Sequence, residues 1–126
     1  MHEYSVAMGV YEVVLNVALK NNAARVISVD LELGELTHIN PVQLSFCFEA
    51  VAKGSLLERT DLNVIKVAPE IRCKCGYEGS INTEQQTFYD LILNLRCPKC
   101  GNPAPELTSG REINVRDIKM EVDGNA

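Results

Sequence analysis

Two close pairs of cysteine carry the most specific chemical signal in the chain: Cys73 with Cys75, then Cys97 with Cys100. Two local thiolate pairs separated by a loop form the ligand set of a tetrahedral structural zinc site. The second pair lies in Cys97-Pro98-Lys99-Cys100-Gly101, a knuckle whose short turn brings two sulfurs to one metal with backbone N–H groups near them. Gly101 relieves the turn where a Cβ would crowd it. The first pair, Cys73-Lys74-Cys75-Gly76, has one spacer residue instead of the usual two but ends in the same Cys-Gly. A disulfide, a redox dithiol and iron on the same sulfurs are the competing readings, and ligand type alone does not separate iron from zinc. No secretory stretch precedes the cysteines, so a reducing, cytoplasmic setting is expected and disulfides are disfavoured. Four protein ligands leave no open position, so the site is expected to be structural rather than catalytic. Arg72, Lys74, Arg96 and Lys99 flank it and are expected to offset the net negative charge of four thiolates on a divalent cation.

Met1-His2-Glu3 is the second candidate site. A large residue at position 2 hinders removal of the initiator methionine, so Met1 is expected to stay. Its α-amine, the backbone nitrogens of residues 2 and 3 and the His2 imidazole then lie within a few bonds of one another. Nickel(II) favours square-planar nitrogen donors, and copper(II) shares that preference. A histidine at position 2 is more often a solvated chain end, and on spacing alone that reading stays ahead. His38, the only other histidine, fits no ligand spacing and reads as a loop residue. Cys47 lies in an apolar stripe and reads as a small buried residue, not a fifth ligand. No nucleophile with a nearby histidine and acid can be argued, and no phosphate-cradling glycine loop occurs, so no enzyme is expected.

The whole chain sets the frame for these sites. At 126 residues it is one domain, or one domain carrying a small inserted module. The formal net charge of −5 gives no global attraction to nucleic acid or anionic membrane. No apolar run approaches the ~20 residues needed to cross a bilayer, so no membrane insertion is expected.

Several elements must position the sites. Ala7, Val10, Tyr11, Val14 and Ala18 recur at helical steps, predicting a helix from about Ser5 to Lys20 that leaves through Asn21-Asn22. Gly9 reads as a possible close packing point on it. Ile27, Val29, Leu31 and Leu33 alternate with polar residues, predicting a half-buried strand ending at Gly34. Asn40-Pro41 opens a second helix, with Asn40 as N-cap and Gln43 placed to reach back in a capping box. Leu44, Cys47, Phe48 and Val51 form its stripe, and Lys53-Gly54 closes it. A strand over Leu62–Val67 leads to the cysteine module. Alternation at Leu91, Leu93 and Leu95 predicts a strand within that module. Ile113 to Val122 reads as a last strand whose phase slips at Arg116-Asp117, the mark of a β-bulge. The expected fold is α+β: a small mixed sheet with two helices, carrying an inserted zinc-ribbon-like four-cysteine module. Residues 1–69 with 107–126 would form one domain, and 70–106 the zinc-binding module. A module this short is expected to draw much of its folding free energy, ~10–16 kcal/mol in comparable sites, from its metal.

Met1-His2-Glu3-Tyr4-Ser5 followed at once by a helix resembles the opening of the HypA family, nickel metallochaperones of hydrogenase maturation. So do Gly34-Glu35-Leu36 after the first strand, Pro41 through Phe48-Glu49, the paired cysteines and the closing strand. The resemblance covers essentially the whole chain. It implies a nickel-binding domain and a zinc domain. His2 matches the family's essential nickel ligand, Met1 supplies the amine, and Glu3 contributes its backbone nitrogen or carboxylate. Cys73, Cys75, Cys97 and Cys100 match the zinc ligands. The implied activity is carriage of Ni(II) to the [NiFe]-hydrogenase large subunit precursor together with the GTPase HypB, with urease maturation proteins as further partners in some members. The alternative is a zinc-ribbon module for protein or nucleic-acid interaction with no nickel role. Four basic against five acidic side chains between Glu70 and Glu106, and few stacking aromatics, disfavour its nucleic-acid form. A thiol redox enzyme is a third reading, which expects one cysteine pair to react readily.

Overall fold

The structure is a computed structural model and describes residues 2–81 and 96–122. Met1 and the strand expected around Leu91–Leu95 lie outside the described residues. In order, the chain forms α1 (Glu3–Lys20), β1 (Ala23–Gly34), a 3-10 turn (Glu35–Thr37), α2 (Pro41–Ala52), β2 (Asp61–Val67), β3 (Glu70–Arg72), β4 (Glu78–Ser80), β5 (Glu106–Ser109) and β6 (Ile113–Val122). Among the described residues the strands make two three-stranded sheets, ordered β2-β1-β6 and β4-β3-β5. The fold is therefore α+β, with the cysteine module inserted between β2 and β6. Two compact units emerge. One comprises Met1–Glu32, Ile39–Ile65 and Ile113–Ala126; the other comprises Leu33–His38 and Lys66–Glu112. None of the described helices is long and apolar enough to cross a membrane.

In the first unit α1 packs against α2 and β6. It buries Val6, Ala7, Val10, Val14 and Ala18, one stripe at three- and four-residue steps. The helix stops where expected: Asn22 takes a left-handed φ of 54°, and Asn21 Nδ2 donates to the Val17 carbonyl at 2.8 Å. Gly9 is not a close packing point. A Cβ there would meet nothing within 4 Å, and the residue lines an open cavity of about 580 Å³ with Val6, Val10, Val13 and Leu31. On β1 the alternation holds for Val29, Leu31 and Leu33 but not for Ile27, which is 38% exposed while Val26 is buried. The reason is local. Val26 N–H donates to the Leu56 carbonyl at 3.0 Å and Thr60 Oγ1 donates to the Val26 carbonyl at 2.9 Å, so the 55–60 turn takes over that end of the strand. On α2, Leu44, Phe48 and Ala52 are buried, but Cys47 is only half-buried, at the edge of the stripe rather than in it. Along β6, Arg116 and Asp117 are both exposed, so burial changes parity at the expected slip.

Asn40 caps α2, its Oδ1 accepting the N–H groups of Val42 and Gln43 at 2.9 and 3.1 Å. The reciprocal half of the expected box differs. The carboxylate of Glu3, in the first turn of α1, rather than Gln43, accepts the Asn40 N–H, at 3.1 Å. The substitute is physically apt, because a carboxylate at a helix N-terminus also meets the positive end of the macrodipole. A tertiary bond thus ties the start of α1 to the start of α2.

In the second unit β3 pairs antiparallel with both β4 and β5. The Leu33–His38 segment belongs here because Gly34 N–H donates to the Glu112 carbonyl at 2.9 Å and Leu36 N–H to the Gly110 carbonyl at 2.8 Å. The two backbones cross closely. A Cβ on Gly34 would overlap the Gly110 carbonyl, which is backbone and cannot swing away. Gly34→Ala is therefore expected to cost about 1–3 kcal/mol, in the range of overpacked sites; an unchanged denaturation midpoint would remove the crossing as a constraint.

The Glu3–Asn40 bond has its own signature. The Asn40 N–H, followed by Glu3's own N–H, holds the Glu3 carboxyl below its ordinary value. A depressed folded value means the bond's stabilisation is complete above the ordinary glutamate range and is lost as pH falls through the depressed value. In an NMR titration the Glu3 carboxyl carbon should turn over below the reference value of about 4.3, and the Asn40 amide proton should move with the same midpoint. Independent midpoints would mean the bond is absent in solution.

Candidate metal centre

The cysteine knuckles are built by backbone closure. In the second, Cys97 N–H donates to the Asn102 carbonyl at 3.0 Å and Gly101 N–H to the Cys97 carbonyl at 2.9 Å. In the first, Cys73 N–H donates to the Tyr77 carbonyl at 2.9 Å and Gly76 N–H to the Cys73 carbonyl at 3.0 Å. The shorter spacer removes one residue from each ring but keeps the same two bonds. Gly76 and Gly101 both take positive φ, 97° and 76°, so each turn ends in a conformation that a Cβ would strain. The first cysteine of each knuckle, Cys73 or Cys97, is buried beside Ile71, while Cys75 and Cys100 are exposed. Tyr77, Ile81 and Leu107 pack around that small core.

This closure brings all four expected sulfurs together. One ligand atom from each of Cys73, Cys75, Cys97 and Cys100 lies within 4.8 Å of the others. Cys73 and Cys100 are 3.5 Å apart, and Cys75 and Cys97 3.6 Å, each pair drawn from opposite knuckles. A disulfide needs about 2.05 Å, so these are free sulfurs. A zinc ion with Zn–S bonds of about 2.3 Å would set tetrahedral edges of about 3.8 Å, so the cage fits a metal of that size. Cys47 is not part of it.

The electrostatics follow from the packing. Cys73 is drawn down to about 6, first by the Cys75 N–H aimed at its sulfur and then by the side-chain amide of Asn102. Cys97 is also lowered: burial opposes its ionisation, but the N–H groups of Cys100 and Lys99 outweigh it. Cys100 is pushed up to about 12. The Asn102 N–H favours its thiolate, but the Cys73 sulfur, burial and the sulfurs of Cys75 and Cys97 together prevail. Four sulfurs this close ionise together only around a cation. Of the flanking cations, Arg72 lies opposite Glu78 on β4 and pairs with it, Nε to Oε1 3.3 Å, so its charge is not left for the sulfurs alone. Lys74, Arg96 and Lys99 are exposed.

His2 is the N-cap of α1. Its carbonyl accepts the Val6 N–H at 3.1 Å, while its exposed side chain makes no capping bond. The first backbone N–H groups of a helix lack intrahelical acceptors, which leaves the amide nitrogens of this stretch outside the helical ladder. The Glu3 carboxylate is directed to Asn40. His38, exposed and left-handed at φ 56°, follows the 3-10 turn. Sequence reasoning missed two participants. Asn102 touches both knuckles, and its one sequence sign is its place after Cys-x-x-Cys-Gly, where the turn must close. The Glu3–Asn40 bond joins residues 37 apart in sequence, which no local pattern reveals.

Comparison with known proteins places this architecture. Residues 1–120 match the family model described as "Hydrogenase/urease nickel incorporation, metallochaperone, hypA". The hydrogenase maturation factor HypA of Methanosarcina acetivorans is 40% identical over 131 residues, covering 98% of each chain. That of Methanothermobacter thermautotrophicus is 37% identical over 121 residues, covering 96% of this chain and 98% of its own. The solution structure of the Ni metallochaperone HypA from Helicobacter pylori shares the fold at a TM-score of 0.69 with 24% identity, over 98% of this chain and 100% of that one. The chain therefore belongs to the HypA family of hydrogenase maturation factors, which are metallochaperones and not enzymes.

Proposed function

We propose that this protein carries Ni(II) as cargo at its N-terminus and holds a resident zinc ion in its four-cysteine cage. The observation that carries the reading is the contrast between two sites in one chain. The sulfur cage is closed and partly buried; His2 is exposed at a helix start, and its side chain makes no capping bond. A carrier site must load and unload, and an exposed chain segment suits ligand exchange better than a cage of four thiolates. Family membership supports nickel as the cargo.

In this reading the Met1 amine, the His2 imidazole and backbone nitrogens of the first residues supply a nitrogen-rich, square-planar field. Glu3 supports it chiefly by position, because its carboxylate is engaged at Asn40 and fixes the first turn of α1. Cys73, Cys75, Cys97 and Cys100 hold zinc, which supplies the central charge that the crowded sulfurs need. The unit of Met1–Glu32, Ile39–Ile65 and Ile113–Ala126 would serve as the nickel-binding domain, and the unit of Leu33–His38 and Lys66–Glu112 as the zinc-holding module. The partners in this reading are the precursor of the [NiFe]-hydrogenase large subunit and the GTPase HypB, with urease maturation proteins where urease is present. Handover would occur in the cytoplasm, where apo-precursor and reduced thiols coexist.

Three experiments follow. His2→Ala in protein whose first residue is Met1 should lose nickel binding by calorimetry while keeping one zinc and the native helical signal; unchanged nickel affinity would reject the assignment. In the native protein nickel affinity should fall as pH drops from about 7.5 to 6, since the donors must shed protons to bind. Zinc removal by a chelator should collapse amide dispersion for residues 70–81 and 96–109, because so short a module has little other core. Retained dispersion would show that the module folds without its metal.

A further inference from the structure

Asn102 occupies an unusual place in the cysteine cage. Its carbonyl accepts the Cys97 N–H at 3.0 Å, which closes the second knuckle. Its backbone N–H is directed at the Cys100 sulfur. Its side chain crosses to the other knuckle, Nδ2 lying 3.6 Å from Cys73 Sγ. The orientation of that amide is set independently. Ala104 N–H donates to Asn102 Oδ1 at 3.1 Å, and since a backbone N–H only donates, the oxygen must face Ala104 and the NH₂ must face the sulfur. One half-buried residue thus serves three of the four cysteines, and Cys73 and Cys100, which it joins, are themselves 3.5 Å apart. Among the described residues the first knuckle has no counterpart. Tyr77 closes it with its backbone, but its hydroxyl donates to the Ser80 carbonyl at 2.9 Å, away from the sulfurs.

We infer that Asn102 is a positioning residue of the metal centre, whose side-chain N–H···S bond to Cys73 locks the two knuckles together and restrains the Cys73 sulfur on the metal. The physical reason is that donors in the outer shell hold a ligand atom in place and withdraw electron density from it. With one spacer residue fewer, the first knuckle has less backbone with which to hold its own leading sulfur, and the second knuckle supplies the missing donor. The inference rests on the four-sulfur zinc reading and goes beyond it.

Asn102→Asp removes the donor and sets a carboxylate charge beside the Cys73 sulfur. A carboxylate of the same shape still accepts from Ala104, and the backbone bonds to Cys97 and Cys100 are untouched, but no N–H remains for Cys73. Asn102→Ala removes both side-chain bonds. With zinc and a competing chelator, Asn102→Asp should bind zinc ~10–100-fold more weakly, as typical outer-shell losses do. With Co(II) in place of zinc, its sulfur-to-metal charge-transfer band should move to lower energy, because a thiolate without its donor is more electron-rich. Native affinity and an unmoved band in Asn102→Asp, with weakening only in Asn102→Ala, would overturn the inference and leave Asn102 as a residue of the Ala104 turn alone. Should the aspartate variant fail to fold, the native protein answers. The Asn102 side-chain amide protons should shift when zinc is replaced by cadmium, and amide protons that do not respond would overturn the inference equally. Failure of the native protein to take up zinc is a separate result, which would reject the four-sulfur reading itself.

Discussion

Crowding of four sulfurs is the constraint on which the rest of the cysteine unit depends. Within 4.8 Å of one another, they cannot all carry charge unless something positive sits among them. The backbone prepares for that ion by aiming N–H groups of Cys75, Lys99, Cys100 and Asn102 at sulfur, and Cys100 resists ionisation all the same. Among the described residues the hydrophobic contribution around the cage is slight: Ile71 and the two inner cysteines are its buried members. In the proposed reading the metal would be less an addition to this unit than the condition under which its two loops share a core. The short strands β3, β4 and β5 belong to the same unit as the knuckles, and among its described residues there is no α-helix.

The other unit is stabilised differently. There α1 and α2 bury a full aliphatic and aromatic stripe, with Phe48, Leu44, Leu31 and Val14 almost fully enclosed. No ion is needed for such a core, which in the proposed reading would leave the N-terminal turn to serve a cargo. What it requires is placement, and the Glu3 carboxylate provides that by reaching the Asn40 N–H at the start of α2. In the proposed reading a permanent ion in one unit and an exchangeable one in the other would place opposite demands on burial, which the half-buried sulfur cage and the exposed His2 side chain fit.

Features with a short sequence reach were legible. Both helices, their Asn exit and Asn40 cap, β1, β2 and the phase slip on β6 follow from patterns read within one or two turns. The four cysteines were legible because chemistry and spacing coincide. What escaped depends on tertiary partners. Gln43 was a sound choice for the capping box until Glu3 arrived from another helix. Ile27 fits a strand alternation, but the 55–60 turn claims Val26 instead. Cys47 sits at helical spacing on the α2 stripe, yet the stripe's edge leaves it half-buried. Gly9 looked like a packing point, and its missing side chain instead opens a cavity.

The central claim is that two metals occupy chemically distinct places in one chain. X-ray absorption at the nickel and zinc edges of protein loaded with both tests it most directly. The account expects a nickel shell of nitrogen and oxygen only, with the outer scattering of an imidazole, beside a zinc shell of four sulfurs at about 2.3 Å. Sulfur in the nickel shell, or zinc displaced from the cysteines as nickel is added, would contradict it.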